Sequence, residues 1–396
     1  MSSAVDQALA TLRRGAVHLA EEAELRERLA SGRPLRVKVG FDPTAPDIHL
    51  GHTVVMRKMR QFQDLGHEVV FLIGDFTGMV GDPTGKSRTR PALTRDEVLR
   101  NAETYQRQAF KVLDAQKTRI EFNSTWLAAL GSVELLRLAS RVTVARTLER
   151  EDFQKRLHAG DPIALHETLY PLMQAYDSVV LKADVELGGT DQLFNLMFGR
   201  DLMRSHGLPP QVVLTLPLLE GVDGAEKMSK SLSNHIGIDE PPREIFGKIM
   251  SISDDRMWRY YELLSALPAD QIDRLKAGHP REAKVRLAME MVARFHSPAA
   301  ADEARAEFER MFGAHKGLPD EVPERVVECR EGGMSLALLL RESGLASSTS
   351  DANRLVSQGG VEVDGRRATD PRERMAAPAT HLLRVGKRRI CRVSLR

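Results

Sequence analysis

Apolar and polar positions along the chain alternate between two periods. LRVKVGF (35–41) is a short β-branched run bounded by Pro34 and Pro43, and HTVVMRKMRQFQ (52–63) places its apolar residues at helical spacing. HEVVFLIGD (67–75) is a second continuous apolar run, and 94–115 is helical again. This βαβα order predicts an α/β domain with a parallel sheet, helices on both faces and ligands at the carboxyl ends of the strands. TRIEFNS (118–124) and QVVLTLPLL (211–219) predict further strands, separated by a long, mainly helical insertion over 126–203, and two short helices precede the first strand. A nucleotide-type domain is expected over 1–233 and an all-α domain over 234–320, where REAKVRLAMEMVARFH is typical. A linker is expected over 321–333, in a stretch with Gly and Pro at both ends. A small α+β unit over 334–396 then reads helix, helix, short strand and turn, and no internal repeat is evident.

The junction after the first strand carries the candidate chemistry. In DPTAPDIHLGH (42–52), His49 and His52 are three residues apart at a strand-to-helix transition, so both imidazoles can share one face. Free N–H groups and the positive end of the helix dipole attract a triphosphate there. Gly51 removes a side chain where a base or sugar could approach the backbone. Far downstream, KMSKS (227–231) lies within EGVDGAEKMSKSLSN, whose small and polar residues predict a mobile loop. When a carboxylate attacks the α-phosphorus of ATP, charge builds on the departing pyrophosphate, so catalysis is largely charge placement. His49 and His52, helped by the hydroxyl of Thr44, can donate from one side, and Lys227 and Lys230 can close from the other.

Neighbouring patterns narrow the picture. Zinc would need a third ligand, and no HExxH pattern or cysteine cluster lies near the histidines, so no structural metal is expected. GDFTGMVGDPTGKSRTR (74–90) misses a P-loop, because its first glycine would fall at Val80; Lys86 and Arg90 stand as further phosphate contacts. In LYPLMQAYDSV, Tyr170, Gln174 and Asp177 fall on one face of an otherwise apolar helix, which is costly unless those groups are partnered. In LGGTDQLFN, Gly188 and Gly189 with Asp191 and Gln192 can bring backbone and a carboxylate onto a ribose.

Composition adds bounds. With 396 residues, 42% hydrophobic and 28% charged, the chain fits two or three globular domains. A net charge of +2 makes any nucleic-acid surface local rather than global. The two cysteines, Cys329 and Cys391, suggest no disulfide framework; with no secretory signal and no membrane-length apolar run, a cytoplasmic protein is expected.

HLGH paired with KMSKS resembles the signature of class I aminoacyl-tRNA synthetases, whose catalytic domain is Rossmann-like. GFDPT, HLGH, TGMVGDPTGK, LMQAYD, GGTDQ and KMSKS occur in the order of bacterial tyrosyl-tRNA synthetases, and that resemblance spans essentially the whole chain. The C-terminal order of elements is similar to the small RNA-binding domain named after the fourth ribosomal small-subunit protein. The resemblance implies ATP-dependent activation of L-tyrosine, with Mg2+ accompanying the ATP, and transfer to the 3′ end of tRNA(Tyr) by a homodimer. It further implies that Asp82, Tyr170 and Gln174 hold the tyrosine ammonium and that Asp177 accepts the phenol, supported by Thr77 and Asn123. Asp42, Gly189 and Asp191 then belong to the adenosine side, Gln192 to a carboxylate or phosphate, and Met228 to the ATP site. Lys86, Arg90, Lys227 and Lys230 become mobile cations, and Arg354, Lys387, Arg388, Arg389 and Arg392 face RNA phosphates. One position departs: many members carry a tyrosine two residues before the GFDPT glycine as a second phenol contact, whereas this chain has Lys38. The tryptophan-specific relative shares the fold and both ATP motifs, but Asp177 suits a phenol better than an indole. An RNA-binding protein without catalysis is the other alternative, against which the intact histidines and lysines speak.

Overall fold

The computed structural model describes residues 2–44, 47–83, 93–224, 226–230, 232–312, 322–329, 333–386 and 389–396. The chain divides into two compact units, Met1–Asp302 and Glu303–Arg396. The first is built on six strands: β1 (His18–Ala20), β2 (Arg36–Phe41), β3 (Glu68–Ile73), β4 (Thr118–Phe122), β5 (Val185–Gly189) and β6 (Val212–Leu216). They lie in the order β1-β6-β5-β2-β3-β4. Strands β2 to β6 are parallel, and β1 closes one edge antiparallel to β6. Val37, Val39 and every residue from Val69 to Ile73 are buried, as expected of strands covered on both faces.

The chain runs outward from β2 through β3 to β4 and later returns to the other side of β2 through β5 and β6. Strand order therefore reverses between β2 and β5, and the crevice outside their carboxyl ends is where such a sheet binds its ligand. The helix after β2, Leu50–Asp64, buries Leu50, Val54, Met56, Met59 and Phe62 and starts at that crevice.

The stretch 126–203 is mainly helical, as expected, but it also holds a strand that the sequence reading did not place: Val185–Gly189 is β5, inserted beside the central strand. Its sequence VELGG has two glycines and a carboxylate, so it shows no apolar run. Glu186 is tolerated there because Lys38 of β2 faces it. The short strand β1 likewise gave no signal.

In the second unit, Arg366–Arg367, Val361–Val363, Ala379–Val385, Arg389–Leu395 and Glu324–Val327 form a five-stranded sheet in that order. Helices Leu336–Glu342 and Thr349–Ser357 join it around Leu336, Leu340, Val356, Leu383 and Val393. Glu324–Val327 lies in the stretch expected to be linker and pairs parallel with Arg389–Leu395.

Candidate active site

The two histidines are held by the helix they begin. His49 is the N-cap of Leu50–Asp64; its Nδ1 accepts from the Gly51 N–H (3.1 Å), and His52 Nδ1 accepts from the His49 N–H (3.2 Å). An accepting Nδ1 on a neutral ring leaves the proton on Nε2, so both imidazoles present an N–H donor. Burial, and then His52, His235 and Lys230, push the His49 imidazolium far below the usual range, and burial with Lys230 lowers His52 to about 4. The ring centroids are 3.9 Å apart. Gly51 is required for this packing, because a Cβ there would lie 2.9 Å from His49 Cε1.

A second network occupies the carboxyl ends of β2, β3 and β4. Asp42 Oδ1 accepts from Thr77 Oγ1 (2.7 Å) and its Oδ2 accepts from the Tyr170 hydroxyl (2.7 Å). Asn123 Nδ2 donates to Thr77 Oγ1 (3.0 Å) and to Asp177 Oδ2 (3.3 Å), while Trp126 Nε1 donates to Asp177 Oδ1 (2.8 Å). Asp42, read as an adenosine-side residue, is thus bonded to two groups of the amino-acid set. Gly74 lets these side chains meet, since a Cβ there would collide with Asp42 and Thr77. Burial raises the Asp177 carboxyl to about 7 against the lowering influence of the Lys38 ammonium and of the Trp126 and Asn123 hydrogen bonds. The Tyr170 phenol is pushed well upward, by burial first and then by Asp42, and stays a donor.

Lys38 does not replace the missing tyrosine as an open pocket group. Its ammonium is buried, 2.7 Å from Glu186 Oε1 and 3.0 Å from Ser178 Oγ, and donates to the Gln174 carbonyl (3.3 Å). Ser178 and Gln211 satisfy the other Glu186 oxygen, each at 2.7 Å. The ion pair therefore underlies the helix Leu165–Leu181 that presents Tyr170, Gln174 and Asp177.

On the opposite side, a bridge pairs Glu220 with Lys227, and Met228, buried, bonds to the Leu219 carbonyl and packs against Gly51. Lys227 is paired with Asp191 (3.0 Å) and Lys230 with Asp47 (2.7 Å). Gln192 donates to Asp82 (2.9 Å), and any side chain at Gly189 would strike Asp191 Oδ1 at 2.6 Å. Thr44 is exposed, with its backbone N–H on the Asp42 carbonyl. Lys86, Arg90, Lys387 and Arg388 lie outside the described residues. In the second unit, Arg354 pairs with Asp351 and Arg389 donates to the Leu345 carbonyl, whereas Arg392 pairs with Glu324. Arg389 and Arg392 are three residues apart on one strand and so point to opposite faces, which separates the expected phosphate contacts.

Sequence reasoning missed Trp126, Asp47, Glu186 and Arg150. The lysine inside the otherwise apolar run RVKVGF was the available signal for the Lys38–Glu186 pair. Asp47 lies inside DPTAPDIHLGH but was given no role there, and Trp126 and Arg150 stand in no motif.

A family model for class I tRNA synthetases of the W and Y type matches residues 30–313, and an S4 domain model matches 334–375. A "Tyrosine--tRNA ligase" of Photobacterium profundum is 56% identical over 400 residues, covering 100% of both chains, and one of Thiobacillus denitrificans is 57% identical over 99% of this chain and 100% of its own. Among solved structures, a C-terminally truncated mitochondrial tyrosyl-tRNA synthetase of Aspergillus nidulans superposes with a TM-score of 0.64 at 22% identity, over 79% of this chain and 100% of that one. The Archaeoglobus fulgidus tyrosyl-tRNA synthetase complexed with L-tyrosine gives 0.61 at 22%, over 76% and 99%, and both share the fold. Identity of this extent, running through both units, means that the chain belongs to the tyrosine–tRNA ligases, class I aminoacyl-tRNA synthetases that activate tyrosine with ATP and join it to tRNA.

Proposed function

We propose that tyrosine lies across the carboxyl ends of β2 and β5, with its phenol on Asp177 and its ammonium among Asp82, Tyr170 and Gln174. The observation that carries this reading is the buried Asp177, held by Trp126 and Asn123 at one end of a network that reaches Asp42. A carboxylate kept in so dry a place costs stability, and a phenol hydroxyl is a partner that makes use of it. ATP then lies over the Leu50–Asp64 helix start, with Asp191 and Gly189 on the ribose and Mg2+ carried in on its phosphates.

The tyrosine carboxylate attacks the α-phosphorus, the bond to pyrophosphate breaks, and the Nε2–H groups of His49 and His52 meet the developing charge. In the free enzyme Lys227 and Lys230 rest on Asp191 and Asp47. Ribose binding at Asp191 displaces Lys227, so arrival of ATP itself frees a cation for pyrophosphate. The terminal ribose hydroxyl of tRNA next attacks the tyrosyl carbonyl and AMP leaves. Lys86 and Arg90 belong to the same phosphate set.

The roles divide between a catalytic domain 1–233, a helical domain 234–320 and an RNA-binding domain 334–396 whose sheet also takes strand Glu324–Val327 from the stretch 321–333 expected as linker, with Arg354, Arg389 and Arg392 on tRNA phosphates. A cytoplasmic homodimer is the form we infer. Val133, Leu136, Val144, Leu157 and Leu165, all exposed and apolar on the 126–181 segment, support the second copy. Tyrosine-dependent exchange of label between pyrophosphate and ATP tests the site: it should occur with tyrosine and fail with phenylalanine and tryptophan. Exchange that survives intact in both His52→Ala and Lys230→Ala would remove the proposed phosphate contacts.

A further inference from the structure

Arg150 is the N-cap residue of the helix Glu151–Ala159, in the helical insertion, yet its guanidinium is buried against the active site. Nε donates to Asp152 Oδ1 (2.8 Å), and the guanidinium carbon lies 5.2 Å from the centre of the buried Phe153 ring. The group is therefore anchored from its own helix. Its two terminal nitrogens close a ring of side chains. Nη1 donates to Asn195 Oδ1 (3.3 Å), Asn195 Nδ2 donates to Gln192 Oε1 (3.0 Å), and Gln192 Nε2 donates to Asp82 Oδ2 (2.9 Å). Arg150 Nη2 completes the circuit 3.5 Å from Asp82 Oδ1.

The direction of every bond in this ring is set at its two ends, the Arg150 guanidinium and the Asp82 carboxylate, which can only accept. A guanidinium can only donate, so Asn195 must turn its oxygen toward Arg150 and its NH2 toward Gln192. Gln192 must then turn its NH2 toward Asp82. Without Arg150 the Asp82 carboxylate still accepts from Gln192 through Oδ2, but it loses the ion pair at Oδ1 that fixes its orientation from the second side. Lysine cannot substitute, because a single ammonium on a flexible stem does not span Asp152, Asn195 and Asp82 in fixed directions.

We propose that Arg150 is a positioning residue for the α-amino end of the substrate: through this ring it fixes the carboxylate of Asp82 so that it meets the ammonium of an α-amino acid. The inference rests on the reading of Asp82 as an ammonium acceptor. It gives the helical insertion a part in amino-acid recognition.

Three ligands separate the possibilities when their binding is measured by competition against tyrosine-dependent pyrophosphate exchange. L-tyrosinol keeps the ammonium and lacks the carboxylate, 3-(4-hydroxyphenyl)propionate keeps the carboxylate and lacks the ammonium, and tyrosine has both. In Asp82→Asn, tyrosine and tyrosinol should weaken while the propionate does not; if they do not weaken, the ammonium reading itself fails. With that pattern established, Arg150→Lys and Arg150→Met should reproduce it, with about tenfold weaker tyrosine and tyrosinol, the scale of one charge-assisted hydrogen bond, and an unchanged propionate. Weakening of tyrosine and the propionate with tyrosinol spared would make Arg150 a direct carboxylate contact and overturn the proposal. Equal weakening of all three with a lowered melting temperature would make it a structural residue only, and no change in any would remove it from the site.

Discussion

Asp177→Asn should change sign in its effect on stability as pH rises. The amide keeps the size of the carboxylate, but Trp126 Nε1 and Asn123 Nδ2 both donate to that carboxylate, so one donor would then face an NH2. That misfit costs about 1–3 kcal/mol at any pH. The carboxylate carries a different cost. Its pKa is 3.8 in an ordinary setting and is raised to about 7 here, mainly by burial. The folded state therefore binds the extra proton between those values. Stability from the protonated carboxyl is complete below about pH 4, is lost as pH rises toward about 7, and levels off above, a total of about 4 kcal/mol. Relative to the unsubstituted chain, Asp177→Asn should be less stable near pH 4 and more stable near pH 8. About 3 kcal/mol of that swing should fall between pH 5 and 8. Both tryptophans, Trp126 and Trp258, belong to the first unit, so urea unfolding followed by tryptophan fluorescence reports that unit alone. The swing is the decisive quantity because the amide misfit does not titrate. A difference that stays flat from pH 5 to 8, or that moves toward the native carboxylate, would refute the reasoning. Tyrosine affinity should fall about 10- to 100-fold in the same variant, with phenylalanine binding unchanged.

Four further outcomes follow from the same geometry. Gly51→Ala puts a Cβ 2.9 Å from His49 Cε1, so the ring must shift; kcat of pyrophosphate exchange should fall about tenfold or more while tyrosine affinity holds. His52, lowered to about 4, is neutral across pH 6–8, so exchange should show no inflection of its own near 6.5, and His52→Ala should lower kcat roughly 10²- to 10³-fold at every pH in that range. Asp47→Ala releases Lys230 and should tighten pyrophosphate binding to the free enzyme by no more than about fivefold, measured by inhibition of adenylate formation. Lys38→Met strands Glu186 and should cost about 3–5 kcal/mol in urea unfolding, most of it recovered in Lys38→Met with Glu186→Gln.

The outline of the fold was legible because β3 and β6 are nearly continuous apolar runs, β2 is a β-branched run between two prolines, and the helices carry a 3.6 period. Leu35 to Phe41 and the run ending at Ile73 could hardly be anything else. Strand β5 was hidden for the opposite reason: it crosses the centre of the sheet with Glu186 in its middle, and only a charge on another strand, Lys38, makes that placement favourable. Local pattern cannot register a partner 148 positions away. The same limit divides the site. HLGH and KMSKS could be found because each motif's chemistry is local, a helix N-terminus in one case and a flexible loop in the other. Arg150 and Trp126 could not, since what makes them matter is a single atom of Asp82 or Asp177 that the fold brings to them.

That difference bears on where the specificity of this chain resides. The phosphate side depends on groups that any ATP-activating relative can share: two neutral imidazoles and two lysines parked on exchangeable partners, Asp47 and Asp191. The tyrosine side depends on long-range pairs whose loss leaves a buried charge unpaired, as Glu186 would be without Lys38. A substitution on the first side should reduce turnover and leave the chain folded. On the second side, substrate choice and stability draw on the same buried groups, so a changed preference for the amino acid requires a compensating change across the sheet, from β2 to β5 or to the Leu165–Leu181 helix. The swing expected for Asp177→Asn is the sharpest instance: a carboxylate that lowers stability at pH 8 is kept because a phenol hydroxyl needs an acceptor there.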